Sequence, residues 1–182
     1  MTNLSAPLTR RKNTENGVKK NFPHGSVMEK RFDYRQAQEI ARIFKKYHVR
    51  FLFLGKSGAI ILGFPDTTQD ADVFVEKTEI NCKSIANALL ELGFPLKESE
   101  QEEIKKGKDF IQIREGPFDL DLIFAPDGIE TFEEAYQNSV EIEGLPVCHI
   151  DDIIRSKEAT GRTKDKESLP RLKAFRDWWL KK

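Results

Sequence analysis

From Asp33 onward the apolar residues Ala37, Ile40, Ala41, Phe44 and Tyr47 recur at spacings of three and four. That period places them on one side of a helix, with Asp33 as its N-cap. The run Arg50-Phe-Leu-Phe-Leu54 stops at Gly55 and predicts a short buried strand. Ser57 to Gly63 predicts a short helix, broken by Pro65 and the Asp66-Thr-Thr68 cluster, after which Ala71-Asp-Val-Phe-Val75 predicts a second strand. Ile80 to Leu92 predicts a helix whose apolar face uses Ile85, Leu89 and Leu92, with Gly93 as its stop.

The most hydrophilic stretch of the folded part, Lys97 to Lys108, reads either as a helix with a solvated face or as a loop. Phe110-Ile-Gln-Ile113 and Phe118-Asp-Leu-Asp-Leu-Ile-Phe124 alternate in polarity across Arg-Glu-Gly-Pro, which predicts an antiparallel hairpin. A short helix is expected over Phe132 to Tyr136, and a second small hairpin over Val140-Glu-Ile142 and Leu145-Pro-Val147. Two helices close the chain. Ile150 to Thr160 ends at Gly161, and Lys166 to Leu180 carries Leu169, Leu172, Phe175 and Trp179 at helical spacings, interrupted near its start by Pro170. The expected fold class is α+β: a short mixed β-sheet flanked by helices, with helices at the C-terminal end and no solenoid repeat.

Composition narrows this picture. At 182 residues the chain fits one domain, and with 38% hydrophobic and 33% charged residues it contains no run near ~18 apolar residues, so a membrane-spanning helix is not expected. Cys82 and Cys148 match no paired-ligand spacing and read as reduced thiols. The first residues contain no apolar stretch of ~7 or more, so the cytoplasm is the expected location. Charge balances at 30 basic and 30 acidic residues, but unevenly. Residues 1–31 hold seven basic side chains (Arg10, Arg11, Lys12, Lys19, Lys20, Lys30, Arg31) against Glu15 and Glu29, without apolar periodicity, and so read as a flexible basic tail before a domain spanning 32–182. Such a tail is either merely solvated or an arm for nucleic-acid phosphates. His24, His48 and His149 have no second ligand at a useful spacing, and of Trp178 and Trp179 one is expected to pack and the other to stay partly exposed.

Candidate chemistry centres on Gly55 to Asp72. On a strand Asp70 and Asp72 project to the same face, and two carboxylates there make a platform for Mg²⁺, which prefers oxygen ligands and shares carboxylates with substrate phosphates. The Gly55–Gly58 turn before a helix offers N–H groups to a triphosphate. A third carboxylate is available from Asp119 or Asp121 on the later strand, and alternation alone does not choose between them.

Taken together, Gly55, Gly63-Phe-Pro65 and Thr68-Gln-Asp70-Ala-Asp72 resemble the catalytic signature of the DNA polymerase beta superfamily, in particular its minimal nucleotidyltransferase and abortive-infection toxin-like branch. The likeness continues through Leu145 to Lys157 and Gly161-Arg-Thr-Lys-Asp165 and covers roughly 35–180. Lys56 stands at the family's second Gly or Ser, and Asp66 where that branch often has Arg. The resemblance implies a nucleotidyltransferase-like fold and transfer of a nucleoside monophosphate from an NTP, such as ATP, to a hydroxyl of RNA or protein. It implies Mg²⁺ or Mn²⁺ held by Asp70, Asp72 and Asp121, with Asp121 nearest the attacking hydroxyl, and nucleotide binding at Gly55, Lys56, Ser57, Lys157, Arg162 and Lys164. Asp165 would fix these cations or cap the last helix. A toxin–antitoxin or defence role with a cognate partner protein follows from the same likeness. Two other classes are expected alternatives: a catalytically weak nucleotide-sensing or partner-binding module of the same fold, and a nucleic-acid-binding protein acting through the tail.

Overall fold

The computed structural model describes residues 31–182; the basic segment discussed above lies, but for Arg31, outside the described residues. The elements follow as α1 (Tyr34–Lys46), β1 (Phe51–Phe53), α2 (Gly55–Ile61), β2 (Asp70–Val75), α3 (Glu79–Glu91), α4 (Glu98–Lys106), β3 (Phe110–Ile113), β4 (Asp119–Ile123), α5 (Phe132–Asn138), β5 (Val140–Ile142), β6 (Leu145–Val147), α6 (Ile150–Thr160) and α7 (Thr163–Trp179). Asp33 caps α1 as its sequence position predicts, accepting from the Arg35 N–H at 2.7 Å while the Gln36 side chain accepts from the Asp33 N–H. The hydrophilic stretch is a helix, α4, which buries Ile104 and leaves its charges in solvent.

The six strands form one mixed sheet in the order β3-β4-β2-β1-β6-β5. Both expected hairpins are present as antiparallel pairs, β3 with β4 and β5 with β6. The pairs β2–β4 and β1–β6 are parallel, which mixes the sheet and requires helical crossovers. In β2, Ala71, Val73 and Val75 are buried on one face, and Asp70 and Asp72 project from the other. The core is continuous, running from Ile40 and Phe44 of α1 through Leu52, Phe53 and Phe74 of the sheet to Ile153 and Leu172 of the closing helices. Arg50 ties α5 to the ends of the central strands β1 and β2: its guanidinium pairs with Glu76 and, at 2.7 Å, with Glu133, and lies over the Phe132 and Tyr136 rings.

Two helices start two or more residues earlier than expected. Helix α2 begins directly at Gly55, because the Leu54 carbonyl already accepts the Gly58 N–H at 2.8 Å. Helix α7 begins at Thr163 and runs through Pro170. The lost N–H and ring clash at an internal proline cost about 3 kcal/mol, and burial of Leu172 and Phe175 against the core offsets a penalty of that size. Cys82 and Cys148 are both free and buried. Trp179 packs against the core with its edge toward His149, and Trp178 is half exposed. Among the described residues no helix is long and apolar enough to cross a membrane.

Candidate active site

The parallel pairing of β2 with β4 sets Asp70 beside Asp119 and Asp72 beside Asp121. Asp70, Asp72 and Asp121 then line one cavity of about 560 Å³, together with Gly55, Lys56, Lys157 and Arg162. Asp119 is not part of its wall, so of the two candidates on β4 only Asp121 faces the cavity. Asp121 is 6% exposed, and its Oδ1 lacks an aligned hydrogen-bond donor although Nη2 of Arg114 stands 2.7 Å away as an ion-pair partner. The same guanidinium lies 3.5 Å from Oδ2 of Asp70, whose Oδ1 accepts the Thr68 hydroxyl at 3.0 Å.

Asp72 is held by the start of α2. Its Oδ2 accepts the Lys56 N–H at 3.1 Å and the Ser57 N–H at 3.5 Å. Its own N–H donates to Ser57 Oγ at 2.9 Å, and that hydroxyl lies 3.2 Å from the Leu54 carbonyl it donates to. Ser57 is therefore an enclosed brace between β2 and α2 rather than a cavity group. The carboxylate comes so close to the backbone that only glycine fits at 55: a Cβ there would stand 2.3 Å from Asp72 Oδ2, and the residue adopts φ +59°. The amides that the sequence offers to a phosphate are thus engaged by Asp72.

Three acids in one enclosure repel one another. Burial first, then the charges of Asp70 and Asp121, pushes the Asp72 carboxyl from 3.8 up to about 7, against the opposing pull of Lys157 and the Ser57 amide. Burial likewise raises Asp121, partly countered by Arg114.

The cationic residues stand on the helical side. Lys157 of α6 pairs with Asp165 of α7 at 2.9 Å, both side chains being largely enclosed. Arg162 is exposed at the N-cap of α7. Lys164 belongs to α7, and its side chain lies outside the described residues. Lys56 reaches out to Asp66, at 3.7 Å, and Asp66 also receives Arg171 at 3.4 Å, so the acid at 66 serves as a counter-charge linking α2 to α7. No family model matches the chain, and no curated protein matches it.

Among the described residues no three His, Cys, Asp or Glu side chains are spaced to hold a metal ion as they stand. Between Asp70 and Asp121 the counter-charge is the Arg114 guanidinium. Sequence reasoning misses Arg114, Gln112, Phe110 and Arg171. The first three share a signal that was legible: 110, 112 and 114 have the same parity along β3, opposite to buried Ile111 and Ile113.

Proposed function

We propose that the chain is a divalent-cation-dependent nucleotidyltransferase that moves a nucleoside monophosphate from an NTP to a hydroxyl of RNA or protein. The observation that carries this is the meeting of Asp70, Asp72 and Asp121 in one cavity walled also by Lys157 and Arg162. The donor set suits Mg²⁺ or Mn²⁺: carboxylate oxygens alone, with like charges close enough to raise Asp72. Asp70, Asp72 and Asp121 would hold the ions, which when bound supply charge neutralisation at the transferred phosphoryl group and activation of the hydroxyl.

The chain's own groups account for the rest. Lys157 and Arg162 supply positive charge for the triphosphate. The acceptor oxygen bonds to the α-phosphorus while its proton passes to the Asp121 carboxylate, which faces the cavity. The bond from that phosphorus to the α–β bridging oxygen breaks, and pyrophosphate leaves. Asp72 has its position set by Ser57 and the α2 amides, so it holds its geometry while charge moves.

A nucleotide-sensing or partner-binding module without transfer is the second reading, favoured by the engagement of the Lys56 and Ser57 amides with Asp72 and by Arg114 standing between two of the acids. Incubation with each α-labelled NTP, Mg²⁺ or Mn²⁺, and total cellular RNA or protein separates the two. Metal-dependent label on a macromolecule, absent with Asp70→Asn, is the result expected of the transferase. NTP binding with no label and no pyrophosphate release refutes it in favour of the module.

A further inference from the structure

A second cavity, of about 390 Å³, opens where the end of α5 meets the start of α6, and Asn138, His149, Asp151, Asp152 and Arg155 line it. Among the described residues it shares no wall with the carboxylate cavity, which takes Ser156, Lys157 and Thr160 from the last turns of α6. Unpaired N–H groups favour acids in the first turn of a helix. That accounts for acidic residues at 151 and 152, but not for the depth of the second. Asp152 is the one buried residue of the five, 3% exposed, and its Oδ2 has no hydrogen-bond donor. Arg155 stands 3.3 Å from Oδ1 and is shared with Glu134 at 3.7 Å, so it serves one side of the carboxylate. A buried carboxylate oxygen is costly until a donor completes it. Burial accordingly raises the Asp152 carboxyl, against the pull of Arg155 and His149.

Charge around this cavity is also out of balance. Its ion pairs join four acids, Glu134, Asp151, Asp152 and Asp177, to two arginines, Arg155 and Arg176. The missing charge is positive. A metal ion matches the walls poorly, because among the described residues no three His, Cys, Asp or Glu side chains are spaced to share one. An alkylammonium needs no such convergence: its three N–H donors meet separate acceptors, each at ordinary hydrogen-bond length. The volume is that of a small-molecule site, about 300–1,000 Å³. We propose that this cavity binds a small aliphatic diamine, one ammonium donating to Asp152 Oδ2 and the Asn138 carboxamide oxygen, the other meeting the half-exposed Asp151 carboxylate at the mouth. Two positive charges on one short apolar stem supply what the four acids lack. The proposal does not depend on the transferase function. Occupancy would join the end of α5 to the helix that carries Lys157 into the other cavity.

The test titrates the full chain with diaminobutane in the presence of Mg²⁺, by calorimetry and by the carboxyl ¹³C resonances of Asp151 and Asp152. The diamine is expected to move both resonances, and Asp152→Asn to weaken its binding about tenfold or more. Butylamine, with one charge, should bind less tightly, and the diamine methylated to two quaternary ammonium groups, which keeps the charges and loses every N–H, should not bind. An Asp152 resonance that stays still in the wild-type protein overturns the proposal, however the Asp152→Asn variant folds. Binding kept in Asp152→Asn and lost in Asp70→Asn overturns it by placing the amine among the other carboxylates. Tighter binding of Nα-acetyl-lysinamide than of the diamine overturns it in favour of a lysine side chain from a partner protein. Mg²⁺ that moves the Asp152 resonance and excludes the diamine overturns it in favour of a metal ion.

Discussion

Replacing Asp72 by Asn removes a charge from the most crowded point of the site while keeping an oxygen for the Lys56 and Ser57 amides. In the cation-free protein the Asp72 carboxyl is pushed from 3.8 up to about 7. A carboxyl raised on folding keeps a proton that the unfolded chain has released, so stability is fully present at low pH and falls as pH rises from about 4 through about 7. At about 1.36 kcal/mol per pH unit, the whole excursion amounts to at most about 4 kcal/mol, and adjustment of the neighbouring acids reduces it. Asp72→Asn should therefore match wild type at or below about pH 4 and exceed it by about 1–3 kcal/mol near pH 8. Urea unfolding in EDTA, followed by fluorescence of Trp178 and Trp179 across that range, reads the difference. A variant with the wild-type pH slope, or one less stable than wild type near pH 8, would refute the electrostatic account of Asp72.

Gly55→Ala puts a Cβ 2.3 Å from Asp72 Oδ2 at φ +59° and should cost at least about 2 kcal/mol; an unchanged urea midpoint would show that the approach is looser than described. Ser57→Ala leaves the Asp72 N–H without its partner in an enclosed position, a loss of about 1–3 kcal/mol, and calorimetric melting showing no loss would remove Ser57 as a brace. Lys157→Met takes away a positive charge that holds Asp72 down, so carboxyl ¹³C titration should find Asp72 higher than in wild type; a downward move contradicts the placement of Lys157 beside it.

Local signals carried most of the elements. Asp33 caps α1, Gly161 stops α6, the alternation of 110–124 makes a hairpin, and Glu143-Gly144 turns the second one. Each depends on residues within a few positions of one another. The brace from Ser57 to Asp72 reaches across fifteen positions, and no local pattern expresses such a bond. The same holds for the choice of Asp121 over Asp119, which depends on the parallel register of β2 and β4 and on what walls the cavity. Pro170 reads locally as an interruption, and only the packing of Leu172 and Phe175 explains why the helix continues. Arg114 shares the parity of 110 and 112, but a lone arginine after a strand is ordinary until the acids of two other strands are placed against it.

The chain joins the described fold at a telling place. The N–H of Phe32 donates to the Thr68 carbonyl at 2.8 Å, two residues before Asp70 and beside the Thr68 hydroxyl that this acid accepts. Phe32 is thereby fixed at the rim of the carboxylate cavity, whose wall Thr68 shares with Asp70. Because Thr68 gives its hydroxyl to Asp70 and its carbonyl to Phe32, any shift of that acid when the cavity fills is passed to the point where the described chain begins.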